Sequence, residues 1–339
     1  MEEKVDIFLT WVDNNDCQWQ QNRNKYANFF TKSQEKSNGL QRYRDWDNLK
    51  YVFRGIEKYL PWVRKVFFVT CGQIPEFLNT KNEKLVLINH SDYIPQEYLP
   101  TFNSNTIEMN LFRIEDISEN VLLFNDDTFI IDYINKDYFI KDGYPGDEAV
   151  ERIIGKPPFN HAHCLLNNAY IINKYFDKRE VKKQNINKWY SLSYGTGIFR
   201  NILMNYFSAF EGLRNPHEPI VLKKGVMKKL WELEPDMLNE ASQNKFRNIT
   251  DITQYVVRYW NVFEGNFYPR RHKGKALVVT EDNYREAAEI IREKKYPLIS
   301  IDEKYDEPLQ DIEDIKNAIN AALEIVLPEK CSFEKKEEQ

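Results

Sequence analysis

The chain has 339 residues, 42% hydrophobic and 14% aromatic, enough to bury the core of one large domain or two small ones. Its formal net charge of −5 gives no broad basic field, which argues against nucleic acid as a partner. No apolar run approaches the roughly 18 residues of a membrane span, and the acidic start MEEKVDIFLTW reverses the order of a secretory signal. The expectation is a cytoplasmic protein with no integral membrane segment. Cys17, Cys71, Cys164 and Cys331 are widely scattered and read as reduced thiols, so the sequons at Asn89 and Asn248 carry little weight. There is no internal repeat and no low-complexity linker; only the tail after Phe333, EKKEEQ, reads as disordered.

In chain order, Val5 to Trp11 is an apolar run with β-branched and aromatic residues, a first strand, and it ends in the turn-forming cluster Asp13-Asn14-Asn15-Asp16. Residues 22–39 are polar and read as an irregular loop. Leu49, Val52, Phe53, Ile56 and Leu60 follow a helical period that Pro61 breaks. Lys65 to Thr70 and Leu85 to Ile88 supply two further strands. Ile107, Leu111 and Ile114 place one apolar face on a helix, and Val121 to Phe124 is a run suited to a strand buried on both faces. Residues 135–210 are aromatic and Asn-rich; Trp189, Tyr190 and Tyr194 are candidates for stacking on an acceptor or for core. Residues 223–264 read as a helical insertion carrying His217 and Arg247 towards the sheet. Ala276 to Thr280, Glu281 to Lys294, Pro297 to Ile301 and Leu309 to Val326 return to strand-helix alternation. This pattern predicts an α/β fold with a mostly parallel sheet.

The chemistry concentrates at strand ends. Asn125-Asp126-Asp127 follows the buried run, and open α/β sheets bind ligands outside the carboxyl ends of their strands. Adjacent carboxylates repel unless a cation or proton neutralises them, and a hard divalent ion bridging to a diphosphate is the simplest partner. A solvated turn is the alternative. Asp302 also closes a short strand. His217 is the best general base by residue type, because an imidazole exchanges a proton near neutral pH. Arg113 and Arg247 suit phosphate oxygens, since a guanidinium fork binds two at once. Asn103, Ser104 and Glu108 can hydrogen-bond sugar hydroxyls or simply start a helix. His161 and His163, at i and i+2, cannot share a helix face and read as structural.

Several stretches resemble the Stealth family. TWVDNND at 10–16 is similar to its first conserved region, usually TWVDGSD. RYRDWDNLKYVFRGIEKYLPWVRKVFFVTCGQIPEFL at 42–78 and LPTFNSNTIEMNLFRIEDISENVLLFNDD at 99–127 resemble the start and end of its second region. PHEPIVLKKGVMKKLWE at 216–232, with FRNITDITQYVVRYWNVFEGNFYP at 246–269, looks like the third, including its His-x-Pro. PLISIDE at 297–303 and LPEKCSFEK at 327–335 look like the fourth, although Ile301-Asp302 stands where the family has Asn-Asp. The resemblance implies a single Rossmann-type catalytic domain over 1–333, with conserved regions at about 5–17, 41–135, 214–270 and 295–335, a variable segment at 136–210 and a disordered tail at 334–339.

It further implies a sugar-1-phosphate transferase. A UDP-sugar, expected to carry an N-acetylhexosamine, would donate its sugar-1-phosphate to a glycan hydroxyl of a bacterial capsular or cell-surface polysaccharide, or of a lipid-linked oligosaccharide, and release UMP. Mg²⁺ or Mn²⁺ is the implied cofactor, with Asp126, Asp127 and Asp302 as its ligands. His217, Asp126, Asp127 and Arg247 are the implied catalytic residues. Thr10, Asp13, Asn14, Arg42, Asp45, Asn103, Ser104, Glu108 and Arg113 are assigned to the donor. A peripheral association with membrane-bound assembly machinery at the inner face of the membrane completes the expectation. A conventional metal-dependent glycosyltransferase releasing UDP, and an inactive binding homologue, are the alternatives.

Overall fold

In a computed structural model, the described residues are 3–27, 38–154, 160–303, 309 and 312–336. The first strand, β1 (Val5–Thr10), is almost wholly buried because alternate side chains enter two different cores: Val5, Ile7 and Leu9 face one, Phe8 the other. It lies in the middle of a five-stranded sheet. Helix α1 (Cys17–Ala27) and helix α2 (Leu49–Tyr59) precede β2 (Val66–Thr70), which pairs parallel with one side of β1. β3 (Leu85–Asn89) continues the parallel order beyond β2.

After helix α3 (Ser104–Met109), β4 (Asn120–Asn125) pairs parallel with the other side of β1, so Thr10 lies opposite Asn125. The order β3-β2-β1-β4, completed by a strand from later in the chain, thus reverses direction between β1 and β4. That reversal is the topological switch point at which open α/β sheets hold ligands. The expected α/β fold with a mostly parallel sheet is what the chain adopts.

The chain leaves this sheet at Asn125, turns through Asp126 and Asp127, and enters a second sheet as β5 (Thr128–Ile130). One short pairing follows, β6 (Ile140–Lys141) with β7 (Tyr144–Asp147), and then helices α4 (Asn160–Tyr175) and α5 (Lys178–Gln184). β8 (Ile220–Lys223) closes the large sheet antiparallel to β4. Helices α6 (Lys224–Leu233), α7 (Pro235–Gln243) and α8 (Tyr255–Phe263) come next. β9 (Tyr268–Pro269) pairs with β7. β10 (Gly274–Val279), helix α9 (Tyr284–Arg292), β11 (Leu298–Glu303) and helix α10 (Ile312–Val326) finish the fold, with β11 between β10 and β5. Residues of α2, α9 and α10 fill the core on one face of the large sheet, and residues of α4, α6, α7 and α8 fill the other.

Four expectations are corrected. Residues 22–27 belong to α1, because Asp16 caps its start through the Gln18 and Trp19 amides (2.8 and 3.1 Å) and Trp19 packs on Tyr43 and Phe102; residues 28–37 lie outside the described residues. The helix expected through Ile114 stops at Met109. Asn110 is the reason: its side chain captures the Thr106 carbonyl at 2.9 Å and accepts from Arg113. The helical stretch expected from 223 begins at Lys224, and His217 is carried not by it but by the edge strand IVLK at 220–223. Glu334, expected in a disordered tail, is buried and paired with Arg54 at 2.7 Å; residues 337–339 lie outside the described residues.

Candidate active site

Two chain segments converge on the Asp126-Asp127 turn, and strand register explains both. β8 runs antiparallel to β4 with Ile220 opposite Leu123, so the residues preceding Ile220 project past the carboxyl end of β4. His217 is among them. β11 runs antiparallel to β5 with Ser300 opposite Thr128, so Ile301 and Asp302 continue alongside the turn, where the Ile301 amide donates to the Asp127 carbonyl at 2.9 Å. Ligand atoms of Asp127, His217 and Asp302 all lie within 4.8 Å of one another.

His217 is held from both sides. Its Nδ1 faces Asp302 Oδ2 at 2.7 Å, while Nε2 faces Asn125 Nδ2 at 3.3 Å and Asp127 Oδ2 at 3.5 Å. With the Nδ1 proton given to Asp302, the Nε2 lone pair points towards the turn and accepts from Asn125 in the neutral ring. The loop carrying His217 is gripped by α8. Tyr255 donates to the Pro216 carbonyl (3.2 Å), Arg258 to the Arg214 carbonyl and Asn215 Oδ1 (2.8 and 2.7 Å), and Tyr259 to Asn215 (2.9 Å). These three side chains stand at i, i+3 and i+4, one face of the helix. Behind the loop, buried Glu218 binds Arg270, His272, Tyr138 and the Gly274 amide, tying the lead into β8 to the start of β10.

The electrostatics are those of crowded acids. Burial pushes the Asp126 carboxyl well up, and Asp127 and Asp45 push it further. Asp127 is raised by burial and by Asp302, against the pull of His217. Asp45 is raised by burial, with Asp47 and Asp13 adding. Glu108, buried on α3, is pushed up to about 7 by burial against Arg247 and His217. Among the described residues no cationic side chain pairs with Asp126. His217, conversely, is raised to about 10, chiefly by Asp127, against burial and with help from Asp302. An imidazolium cannot accept a proton, so a base at this position requires another cation to take up the charge of Asp127. The oxygen-rich set Asn125, Asp126 and Asp127 fits a hard divalent ion in chemistry and in this unmet charge.

A second pair of loops completes the cleft. Asn103 caps α3 and donates to Asp251 (2.9 Å), which also receives the side chains of Asn105 and Asn244 (both 2.9 Å) and the Asn248 amide (3.0 Å). Phe102 stacks on Phe246 at 5.1 Å. This joint brings Arg247 onto α3, where its guanidinium donates to Ser104 Oγ at 3.0 Å. On the β1 side, Gln73 accepts from the Asp13 amide (3.0 Å) and donates to the Asp13 carbonyl and Asp16 (2.9 and 3.0 Å), locking the loop after β1 to that after β2.

The profile for "Stealth protein CR2, conserved region 2" matches residues 42–146, a span that runs from the 42–46 loop through the acidic turn. A capsular polysaccharide phosphotransferase (WcwK) of Streptococcus pneumoniae is 38% identical over 98% of this chain and 99% of its own. The chain belongs to the Stealth family. An exopolysaccharide phosphotransferase (cps2G) of Lactiplantibacillus plantarum is 34% identical over 98% of this chain and 96% of its own. A receptor polysaccharide phosphotransferase (WefC) of Streptococcus oralis is 31% identical over 98% and 99%. This Stealth protein is a phosphotransferase.

The Stealth site gathers Asp127, His217 and Asp302 directly, and Asp126, Asp45, Glu108 and Arg247 through the electrostatic couplings above. Thr10 ends β1 beside Asn125, and Asp13 and Asn14 form the adjoining turn, Asp13 accepting from the Asn15 amide at 2.8 Å. Arg42 lies in the loop 42–46; its neighbours Arg44 and Trp46 clamp Glu303 (2.7 and 3.0 Å), directly after Asp302. Two expectations change, and one open choice is decided. Arg113 lies over the Trp231 ring (4.7 Å) and bonds Asn110, so the structure does not bring it to the cluster. Asn103 is fully buried as a cap and tether, which leaves its amide no hydroxyl to meet. Of the two readings open for Trp189 and Tyr194, core is the one the structure shows. The His161 side chain lies outside the described residues. Sequence reasoning missed Asn125 as a contact of His217, although it precedes the two aspartates, and missed Gln73, Glu218, Asp251 and Arg258, which read as ordinary loop and helix polars.

Proposed function

We propose that this protein transfers a hexose-1-phosphate, with an N-acetylhexosamine as first candidate, from a UDP-sugar to a hydroxyl of a capsular or cell-surface polysaccharide. The observation that carries this reading is the line Asp302, His217, Asp127 at the switch-point end of the large sheet. Asp302 orients the ring, and Nε2 takes the acceptor hydroxyl proton as its oxygen bonds to the sugar-linked phosphorus. The bond from that phosphorus to the bridging oxygen breaks, and UMP leaves with the electron pair. Arg247 would meet the phosphates of the donor. A divalent ion, Mg²⁺ or Mn²⁺, held by Asp126 and Asp127, would neutralise diphosphate charge when bound. Asp302 is then a positioning residue rather than a metal ligand. Thr10, Asp13, Asn14, Arg42 and Asp45 would meet the nucleotide, in a protein working in the cytoplasm.

Incubation with a panel of UDP-sugars, acceptor polysaccharide and Mg²⁺ tests this. The expected products are UMP and a phosphodiester resonance by phosphorus NMR, both lost in excess EDTA. Release of UDP with an ordinary glycoside would replace this reading with glycosyl transfer.

A further inference from the structure

Between Glu180 and Glu211 the chain carries Lys182, Lys183, Lys188 and Arg200 and no acidic residue, although the protein as a whole has a net charge of −5. The second half of this stretch is the helix Gly197–Leu203, prolonged by a 3₁₀ turn at Met204–Tyr206. Its polarity is inverted. Gly197, Asn201 and Met204, at helical spacing, face inward and are buried. Phe199, Ile202, Leu203 and Tyr206, spaced by three and four, face outward, where a surface helix ordinarily carries polar side chains. Phe199 is 69% exposed, Leu203 73% and Tyr206 86%; Leu192, just upstream, is 90% exposed.

The face is fixed in this orientation. Asn201 donates to the carbonyls of Ala149 and Trp189 (both 2.7 Å) and accepts from the Glu151 amide (2.9 Å). Lys182 donates to the Asn201 carbonyl (3.0 Å) and pairs with Glu151 (2.5 Å). An apolar cluster of this size on a soluble surface marks an interaction site. Its character fits lipid: a short helix with aromatic and aliphatic tips, the exposed cation Arg200 on the same helix, and exposed Lys183 beside Lys182, which bonds Asn201 and Asn205. Among the described residues no helix is long and apolar enough to cross a membrane, so contact would be made in the interfacial plane.

We propose that the outward face of residues 192–207 is a membrane-contact surface that rests in the interface of an anionic lipid bilayer. Its apolar tips enter the boundary of the acyl chains while the neighbouring cations meet anionic headgroups. The same backbone stretch that seats Asn201 also pairs with the approach to His217: Glu151 bridges Leu213, and the Arg214 amide donates to the Val150 carbonyl at 2.8 Å. The helix that carries this face is therefore tied, through buried Val150 and Glu151, to the segment that leads to the site. The inference stands whether or not the donor is a UDP-sugar.

Flotation of the full chain with phosphatidylglycerol–phosphatidylcholine vesicles, against phosphatidylcholine vesicles alone, tests the proposal. The wild type should partition onto the anionic vesicles about tenfold more strongly, an advantage that high salt removes. Phe199→Ser/Leu203→Ser/Tyr206→Ser should lower that partition by about tenfold or more. Leu192→Ser, at a site too exposed to disturb folding, should lower it severalfold, and thermal melts confirm that both variants are folded. Equal flotation of wild type and triple variant overturns the proposal, as does a wild type that binds neither vesicle. A wild-type dimer that the triple variant dissociates, with no vesicle binding, would make the face a self-interface instead.

Discussion

Asp302 and Glu218 flank the same histidine loop and do opposite kinds of work. Asp302 meets Nδ1 of His217 from the end of β11 and selects the tautomer whose Nε2 can accept a proton. Asp302→Asn keeps a side chain of the same size but loses the charge that favours that tautomer and its protonated form. Turnover should fall by about a hundred- to ten-thousand-fold with UDP affinity unchanged, read by steady-state kinetics and calorimetry. An unchanged turnover would leave the ring orientation to Asn125 alone. Glu218 is structural: burial alone would raise its carboxyl, yet Arg270 and His272 hold it down to about 2, below its ordinary 4.5. A depressed carboxyl pKa means the unfolded chain binds more protons between those values. The stabilisation is therefore complete above about pH 4.5 and is lost as pH falls towards 2, on the order of 3 kcal/mol in all. Urea titrations across that window should show the loss in the wild type, and Glu218→Gln should be less stable at pH 7 with a flatter acid slope.

At the scale of elements, the joint between α3 and the loop after α7 rests on one buried acid. Asp251 receives three amide side chains and a backbone amide, and so fixes the loop from which Arg247 reaches Ser104. Asp251→Ala would leave several buried donors unmet, each worth about 1–3 kcal/mol. It should lower the melting temperature and reduce turnover, since Arg247 loses its seat; a variant with normal turnover would show that Arg247 is positioned without the joint. This acid was illegible in FRNITD, where an Asp near Asn and Thr reads as a solvated turn. The strands β1, β2 and β4 were legible because each is a continuous apolar run buried on both faces, and β3, at the edge, because its apolar run is also unbroken. β8 was not, because IVLK is only four residues long and leads straight into a helical period. Its antiparallel register is what brings His217 to Asp127, so the residues of the site could be named from the sequence while their convergence could not. Asn103 failed for a related reason: a cap and a ligand contact use the same side chain at the same helix start.

The whole molecule is closed by its last described residues, which return to the first α/β unit. Arg54, buried on α2, forks onto both oxygens of Glu334 (2.7 and 3.0 Å) and reaches the Leu327 carbonyl at 2.8 Å, while Glu324 contacts it from a half-exposed position on α10. Phe333, next to Glu334, stacks at 5.1 Å on Phe53 of the same helix, and the Asn79 amide donates to the Phe333 carbonyl at 2.7 Å. The C-terminal segment thus covers one face of α2, the helix that packs against β5. Glu334→Ala would strand the Arg54 guanidinium in the interior with one exposed acid as its remaining counter-charge. Removing one partner of a buried pair costs about 3–5 kcal/mol, whereas an exposed neighbour such as Lys335 should tolerate alanine within about 0.5 kcal/mol. Chemical denaturation of the two variants separates these outcomes. Near-equal midpoints would mean that Glu324 and the carbonyls suffice for Arg54 and that the C-terminal segment only overlies the fold; a large loss confined to Glu334→Ala would make the segment a clasp on α2.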